Sequence, residues 1–194
     1  MRTEGLANLD GIEAPVIFAC SHQSHLDVPA LMLALPPKWR YRLAPAMSKE
    51  FFKAHFFPRQ HAWHKRFTNS LNYYLSSLVF NAFPLPQREA GARQTMRYAG
   101  ELASEGWCIV IFPEGRITGD GEIASFQPGV GMLASRLNIP VVPIRLEGLD
   151  RVLHRTWRMA RPGRVLVKIG RPLVLTGDDY AALARRVELA VRSL

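Results

Sequence analysis

The chain has 194 residues, of which 48% are hydrophobic and 21% charged, and its 25 Lys and Arg against 16 Asp and Glu give a formal charge of +9. A chain of this length and composition buries a sizeable core as one globular unit, which excludes intrinsic disorder and a disulfide-stapled scaffold. Its two cysteines, Cys20 and Cys108, sit in apolar runs without C-x-x-C or Cys/His spacing, so both are expected to be reduced core thiols in a reducing compartment.

Arg2 to Asp10 is polar, so no apolar signal segment is expected at the start, and a single domain over 1–194, excised from a longer chain, is compatible with this. Pro15-Val-Ile-Phe-Ala-Cys20 is a short apolar run passing directly into polar residues, the pattern of a buried strand that ends in a loop. Ser24 or Asp27 is placed to cap a helix over 28–35, which Pro36 and Pro37 stop. Residues 28–37 are also the longest apolar run, about half of the roughly 20 residues needed to cross a bilayer, so no transmembrane helix is expected in this chain. Alternation over 40–46 predicts a second strand, followed by helical segments around 48–57 and 63–80, a short strand at 83–85 and a helix over 90–105 closed by Gly106.

Trp107-Cys-Ile-Val-Ile-Phe112 is the clearest strand and ends at Pro113-Glu-Gly115. A helix over 128–137 with Pro at its start follows, then a strand over 139–146 whose two prolines place it near a sheet edge. A strand over 165–169 and an amphipathic helix over 178–194 complete the chain. Strands alternating with helices predict an α/β fold, a mixed and largely parallel sheet flanked by helices on both faces. Sites in such sheets gather outside the carboxyl ends of strands, where the loops 22–27 and 113–116 fall.

Within Ser21-His-Gln-Ser-His-Leu-Asp27, His22 and Asp27 stand five apart across a strand-to-helix turn. An Asp bonded to one imidazole nitrogen fixes the tautomer and leaves the other nitrogen as a general base. On spacing alone, helix capping by Asp27 is an equal reading. His22, His25 and Asp27 as metal ligands would need an H-x-x-H-x-D site, unlike the usual zinc patterns. Ser21 or Ser24 as nucleophile lacks a G-x-S-x-G elbow. Around Pro113 and Gly115, a tight turn is expected to turn backbone N–H groups toward a ligand, with Arg116 as a planar fork for phosphate and Glu114 holding its arm. An ordinary strand-ending turn with a surface ion pair is the competing reading. Phe83-Pro-Leu-Pro-Gln-Arg88 is a Pro-stiffened approach to an arginine before a helix.

His22-x4-Asp27, Arg88, Phe112-Pro-Glu-Gly115 and Val142-Pro143-Ile144 together resemble, in order and spacing, the four blocks of the glycerolipid (lysophospholipid) acyltransferase family, over about residues 12–175. The resemblance implies transfer of a fatty acyl group from acyl-CoA or acyl carrier protein to a glycerolipid hydroxyl, with no metal, no cofactor and no covalent acyl-enzyme. It implies His22 as general base and Asp27 as its orienting partner. It further implies that Arg88, Glu114, Gly115 and Arg116 bind the acceptor's glycerol and phosphate, and that Pro143 shapes the acyl side. Three positions depart from the family pattern: Ser21 stands where Asn is usual, Ala82 where Gly is common, and Arg116-Ile-Thr118 where the phosphatidate-making branch has T-R. The run F-P-E-G-R-I-T is similar to ligase-linked domains that reacylate lysophosphatidylethanolamine, so lysophosphatidate and lysophosphatidylethanolamine both stand as acceptors.

The charge is concentrated. Residues 38–67 hold eight Lys/Arg and one acid, and 145–171 hold eight and two, so these stretches carry 7 + 6 = +13 and the rest −4. Eight aromatics also fall within 38–67, a composition suited to a peripheral membrane surface with anionic headgroups and placing the chain on the cytoplasmic face. Single-stranded nucleic-acid binding uses similar composition, but no RNP-type or helix-turn-helix pattern accompanies it, so no nucleic-acid partner is expected. A non-catalytic lipid- or acyl-carrier-binding module on the same fold is the remaining alternative, opposed by the intact His22 and Asp27.

Overall fold

Buried strands need apolar side chains on both faces, and the runs at 16–20, 108–111 and 141–146 supply them. The computed structural model describes residues 1–48, 62, 67, 70, 83–85, 92–118, 121–154, 156–157 and 159–194. Within them, seven strands form one sheet: β1 (Arg2–Glu4), β2 (Ile17–Cys20), β3 (Leu43–Ser48), β4 (Phe83–Leu85), β5 (Cys108–Ile111), β6 (Val141–Glu147) and β7 (Leu166–Ile169). Their order is β1-β7-β6-β2-β5-β3-β4, and every pair is parallel except β6 with β7. The expected mixed, largely parallel sheet is thus observed. β2 lies at its centre, with Ile17 opposite Ile109 on one side and Val141 on the other.

Strand alternation sorts the core into two layers. Ile17, Ala19, Ile109, Ile111 and Val141 face α3 (Ala92–Ser104), α4 (Gly129–Leu137) and α6 (Tyr180–Arg192). Val16, Phe18, Cys20, Val110, Val142 and Ile144 face α1 (Asp27–Ala34), α2 (Pro37–Arg40) and the 3-10 turn Leu6–Leu9. A further short helix, α5 (Leu149–Val152), follows β6. Cys20 and Cys108 are free, buried thiols in the second layer, as their context implied, and burial pushes both thiol pKa values up.

Three expectations need correction. Arg40 belongs to α2, and strand β3 starts only at Leu43, because Pro37 initiates a helical turn that buries Trp39 edge-on against Phe18 at 5.8 Å. Helix α1 begins at Asp27 itself, with no side-chain cap, since the Asp27 carboxylate points back into the preceding loop. β6 is interior, between β2 and β7, in spite of Pro143. The missing N–H of Pro143 falls where β7 has just ended: Gly170 donates to the Pro143 carbonyl at 2.8 Å, and a Cβ at Gly170 would stand 2.7 Å from Pro143 Cγ. A proline ring therefore replaces one ladder bond at the strand's end rather than marking an edge.

Helix α6 buries Leu183, Ala184, Val187 and Val191 at helical spacing, and one charged group with them, Glu188. That carboxylate accepts from Phe126 N at 3.1 Å, Arg192 Nε at 2.8 Å and Arg185 Nη1 at 2.6 Å, and Arg192 also donates to the Ile123 carbonyl. Burial opposes ionisation of Glu188, but the Phe126 amide and the two arginines outweigh it and hold its pKa below the ordinary value. Its contribution to stability is therefore present above the unfolded value of about 4.3 and lost as pH falls through the depressed folded value. Glu188→Gln is expected to lower the unfolding free energy by ~1–2 kcal/mol at pH 7. Denaturant titrations across pH should show the gap narrowing below about pH 4; a gap independent of pH would contradict this role.

Candidate functional site

Strand β2 ends at Cys20, and Ser21 extends its contact with β6 one residue further: Ser21 N donates to the Ile144 carbonyl at 3.1 Å, and Ser21 Oγ accepts from Leu146 N at 2.9 Å. The Ser21 hydroxyl thus anchors the loop start. Ser24 Oγ donates to the Leu153 carbonyl at 2.6 Å and accepts from Leu26 N. Both serines are 1% exposed and occupied structurally, which removes the nucleophile reading.

Asp27, 1% exposed, gathers the loop around itself. Its Oδ2 is 2.7 Å from His22 Nδ1 and accepts from Gln23 N at 2.8 Å, while Ser24 N lies 3.1 Å from both carboxylate oxygens. The pairing suggested by spacing is present, and capping is not. With Nδ1 turned to the carboxylate, the tautomer compatible with this bond has its proton there and leaves Nε2 as the basic atom. Partial burial and then the nearby His22 hold the His25 imidazole pKa below the ordinary value, against the pull of Asp27. Among the described residues, no group of three or more His, Cys, Asp or Glu is arranged to hold a metal ion.

His22 is fixed from four directions. Its ring stacks on Phe112 with centroids 4.2 Å apart, its backbone N–H donates to Glu114 Oε1 at 2.8 Å, and its carbonyl accepts from Thr118 N and Oγ1, each at 3.0 Å. Phe112, Glu114 and Thr118 all belong to the loop after β5, so the two polar loops form one unit across adjacent strands.

Glu114 differs most from expectation. It does not hold Arg116; it is 4% exposed, and its second oxygen accepts from Ala124 N at 2.8 Å. Both carboxylate oxygens are used as a bracket between the His22 loop and the 121–127 segment. Burial pushes the Glu114 carboxyl pKa above its ordinary value, against the pull of the Ala124 and His22 amides. The turn N–H of Gly115, a residue with φ of 69°, is used internally, donating to the Phe112 carbonyl at 3.1 Å, rather than facing a ligand. Arg116 is exposed and makes no ion pair among the described residues. Pro143 lies buried in β6. Arg88 and residues 49–61 and 63–66 of the basic, aromatic stretch lie outside the described residues. Of the rest of that stretch, Trp39 is core, whereas Tyr41 and Phe67 are exposed.

This site, a buried carboxylate behind a histidine at the carboxyl end of a central parallel strand, coincides with the match to known proteins. The Acyltransferase family profile matches residues 2–147. The chain belongs to the acyltransferase family. It is 23% identical over 200 residues to a chloroplastic 1-acyl-sn-glycerol-3-phosphate acyltransferase of Arabidopsis thaliana, covering 96% of this chain and 49% of the relative. It is 26% identical over 179 residues to the alpha form of that enzyme from Mus musculus, covering 89% and 56%. The chain therefore spans about half the length of these curated relatives. The fold is that of the crystallised 1-acyl-sn-glycerophosphate acyltransferase PlsC of Thermotoga maritima, with a TM-score of 0.70, 23% identity, and coverage of 99% of this chain and 69% of the other.

In this acyltransferase-family chain, Phe112 and Thr118 are site residues that motif reading did not assign. Both stand in the quoted F-P-E-G-R-I-T run, but only the fold shows that they touch His22. Glu114→Gln tests the bracket, because its amide NH2 would face one of two backbone donors. The variant is expected to lose ~1–3 kcal/mol of stability and to speed hydrogen exchange at the His22 or Ala124 amide. Unchanged protection at both amides would contradict the bracket.

Proposed function

We propose that the chain transfers a fatty acyl group from an acyl thioester, of coenzyme A or acyl carrier protein, to the free hydroxyl of a lysophospholipid. The observation that carries this reading is the His22–Asp27 contact, with Nδ1 bound to a buried carboxylate and Nε2 left for an incoming proton. The names of the family relatives, acyltransferases of 1-acyl-sn-glycerol-3-phosphate, supply the reaction class and favour lysophosphatidate as acceptor. The run Gly115-Arg116-Ile117-Thr118 keeps lysophosphatidylethanolamine as the second acceptor.

In the proposed mechanism His22 Nε2 takes the proton of the acceptor hydroxyl as its oxygen attacks the thioester carbonyl. Asp27 stabilises the imidazolium that forms. The tetrahedral intermediate collapses with cleavage of the C–S bond, and the leaving thiolate recovers the proton from His22. Neither an acyl-enzyme nor a cofactor is required. Arg116, exposed beside the dyad loop, and Arg88 are proposed to meet the acceptor phosphate. Glu114 acts as a positioning residue, since both of its oxygens are occupied.

Membrane contact is proposed through the basic and aromatic residues 38–67, as a peripheral association on the cytoplasmic face. Exposed Tyr41 and Phe67 suit it, and among the described residues no helix is long and apolar enough to cross a membrane. The test is transfer of a labelled acyl group from acyl-CoA and acyl carrier protein to a panel of lysophospholipids held in vesicles. His22→Ala should lower transfer by about 10²–10⁴-fold with the fold intact. Wild-type rates should rise with anionic lipid and fall with salt. Equal activity in the variant would overturn the mechanism, and indifference to lipid charge and salt would overturn the membrane contact.

A further inference from the structure

Beside the His22 loop, a cleft of about 710 Å³ opens at the carboxyl end of β6 and the amino end of β7, and nothing in the dyad chemistry uses it. Gln23, Gly121, Arg145, Arg151, Gly163 and Arg164 are among the residues lining it. Its construction is specific. Gly148 has φ of 83°, and a Cβ there would stand 2.2 Å from the Arg164 carbonyl oxygen, so the turn after β6 lies directly on the backbone of residue 164. Arg161 N donates to the Val152 carbonyl at 2.7 Å. These contacts hold the 161–165 segment against α5 and bring Arg151 and Arg164 to one rim.

The charges are unequal in availability. Arg145 is paired with Glu147 at 2.9 Å, which also meets Lys168 at 3.2 Å, and Arg2 is paired with Glu4 at 3.0 Å. Arg151 and Arg164 are exposed and make no ion pair among the described residues; Asp150 is the remaining acid in the lining. The Gln23 side chain is 4% exposed, lines the cleft, and carries an amide oxygen with no hydrogen-bond partner. Gln23 follows His22 directly, so the cleft borders the dyad loop.

We propose that this cleft receives the phosphate-bearing end of a substrate whose reacting atoms lie at His22, with Arg151 and Arg164 pairing its phosphate oxygens and the Gln23 amide meeting a polar group nearer the reaction. The inference rests on the transfer reaction proposed above. A volume of this size accommodates a nucleotide-scale ligand as well as a small phosphate. The shared chemistry, a phosphate ester, belongs to both substrates: the nucleotide end of the acyl donor, which leaves the acceptor phosphate to Arg116 and Arg88, and the headgroup of the acceptor, which moves that phosphate to the arginine rim instead.

Binding is measured without turnover, by calorimetry on the intact chain, with two probes: adenosine 3′,5′-bisphosphate for the donor and glycerol 3-phosphate for the acceptor. At least one should bind, with affinity falling as salt rises, and the one that binds identifies the source. The double variant Arg151→Glu/Arg164→Glu should weaken that binding at least about tenfold. Gln23→Leu should weaken it with the salt dependence retained, and Arg186→Glu, on the exposed face of α6, should leave it unchanged. His22→Ala should still bind the probe, so loss of transfer and loss of the cleft are separable results. Failure of both probes to bind, or equal binding in the double variant, would overturn the inference even where acyl transfer is intact.

Discussion

A carboxylate 1% exposed to solvent is tolerated only when its oxygens are fully used, and Asp27 uses both. Two backbone amides and one imidazole N–H surround it, from the residues at 22, 23 and 24. This arrangement sets the shape of the loop after β2. Moving any of the three donors would leave the buried charge less fully compensated. The histidine orientation therefore follows from the cost of burying the acid, and Nε2 is directed outward as a consequence.

The remainder of the structure keeps that loop at one fixed height above the sheet. β2 is central and parallel to both neighbours, so its carboxyl end lies beside that of β5, and the loops leaving them meet. Ser21 ties the first loop to β6, Glu114 and Thr118 tie it to the second, and Phe112 covers one face of the imidazole. Glu114 and Glu188 then fix the 123–127 segment from opposite sides, through Ala124 N and Phe126 N. Two buried carboxylates thus carry a rigid connection from α6 to the dyad. On the other side, the turn at Gly148 arranges the arginine rim next to Gln23.

Periodicity and punctuation made most of the fold legible. Continuous apolar runs marked β2, β5 and β6, and the spacing of Leu183, Val187 and Val191 marked α6. The His22–Asp27 pair was legible because both partners lie within one short turn. Glu114 was misread for the opposite reason: Arg116 is its neighbour in sequence, but its actual partners, His22 and Ala124, are brought to it by the sheet and by a distant loop. Pro143 suggested an edge because an interior proline is tolerable here only where its neighbour β7 ends, at Ile169, and that pairing is tertiary and absent from the local pattern. The family match gives the family, whereas the support around the dyad is visible only in the fold.

Asp27 holds His22 in one tautomer, with the proton on Nδ1 and Nε2 open. Nitrogen-15 NMR of the imidazole ring, in uniformly labelled protein at a pH where the ring is neutral, reads this directly. The expected result is a protonated Nδ1 and an unprotonated Nε2, a pattern that Asp27→Asn abolishes. A proton resident on Nε2, or an even mixture of both tautomers in the wild-type chain, would contradict it.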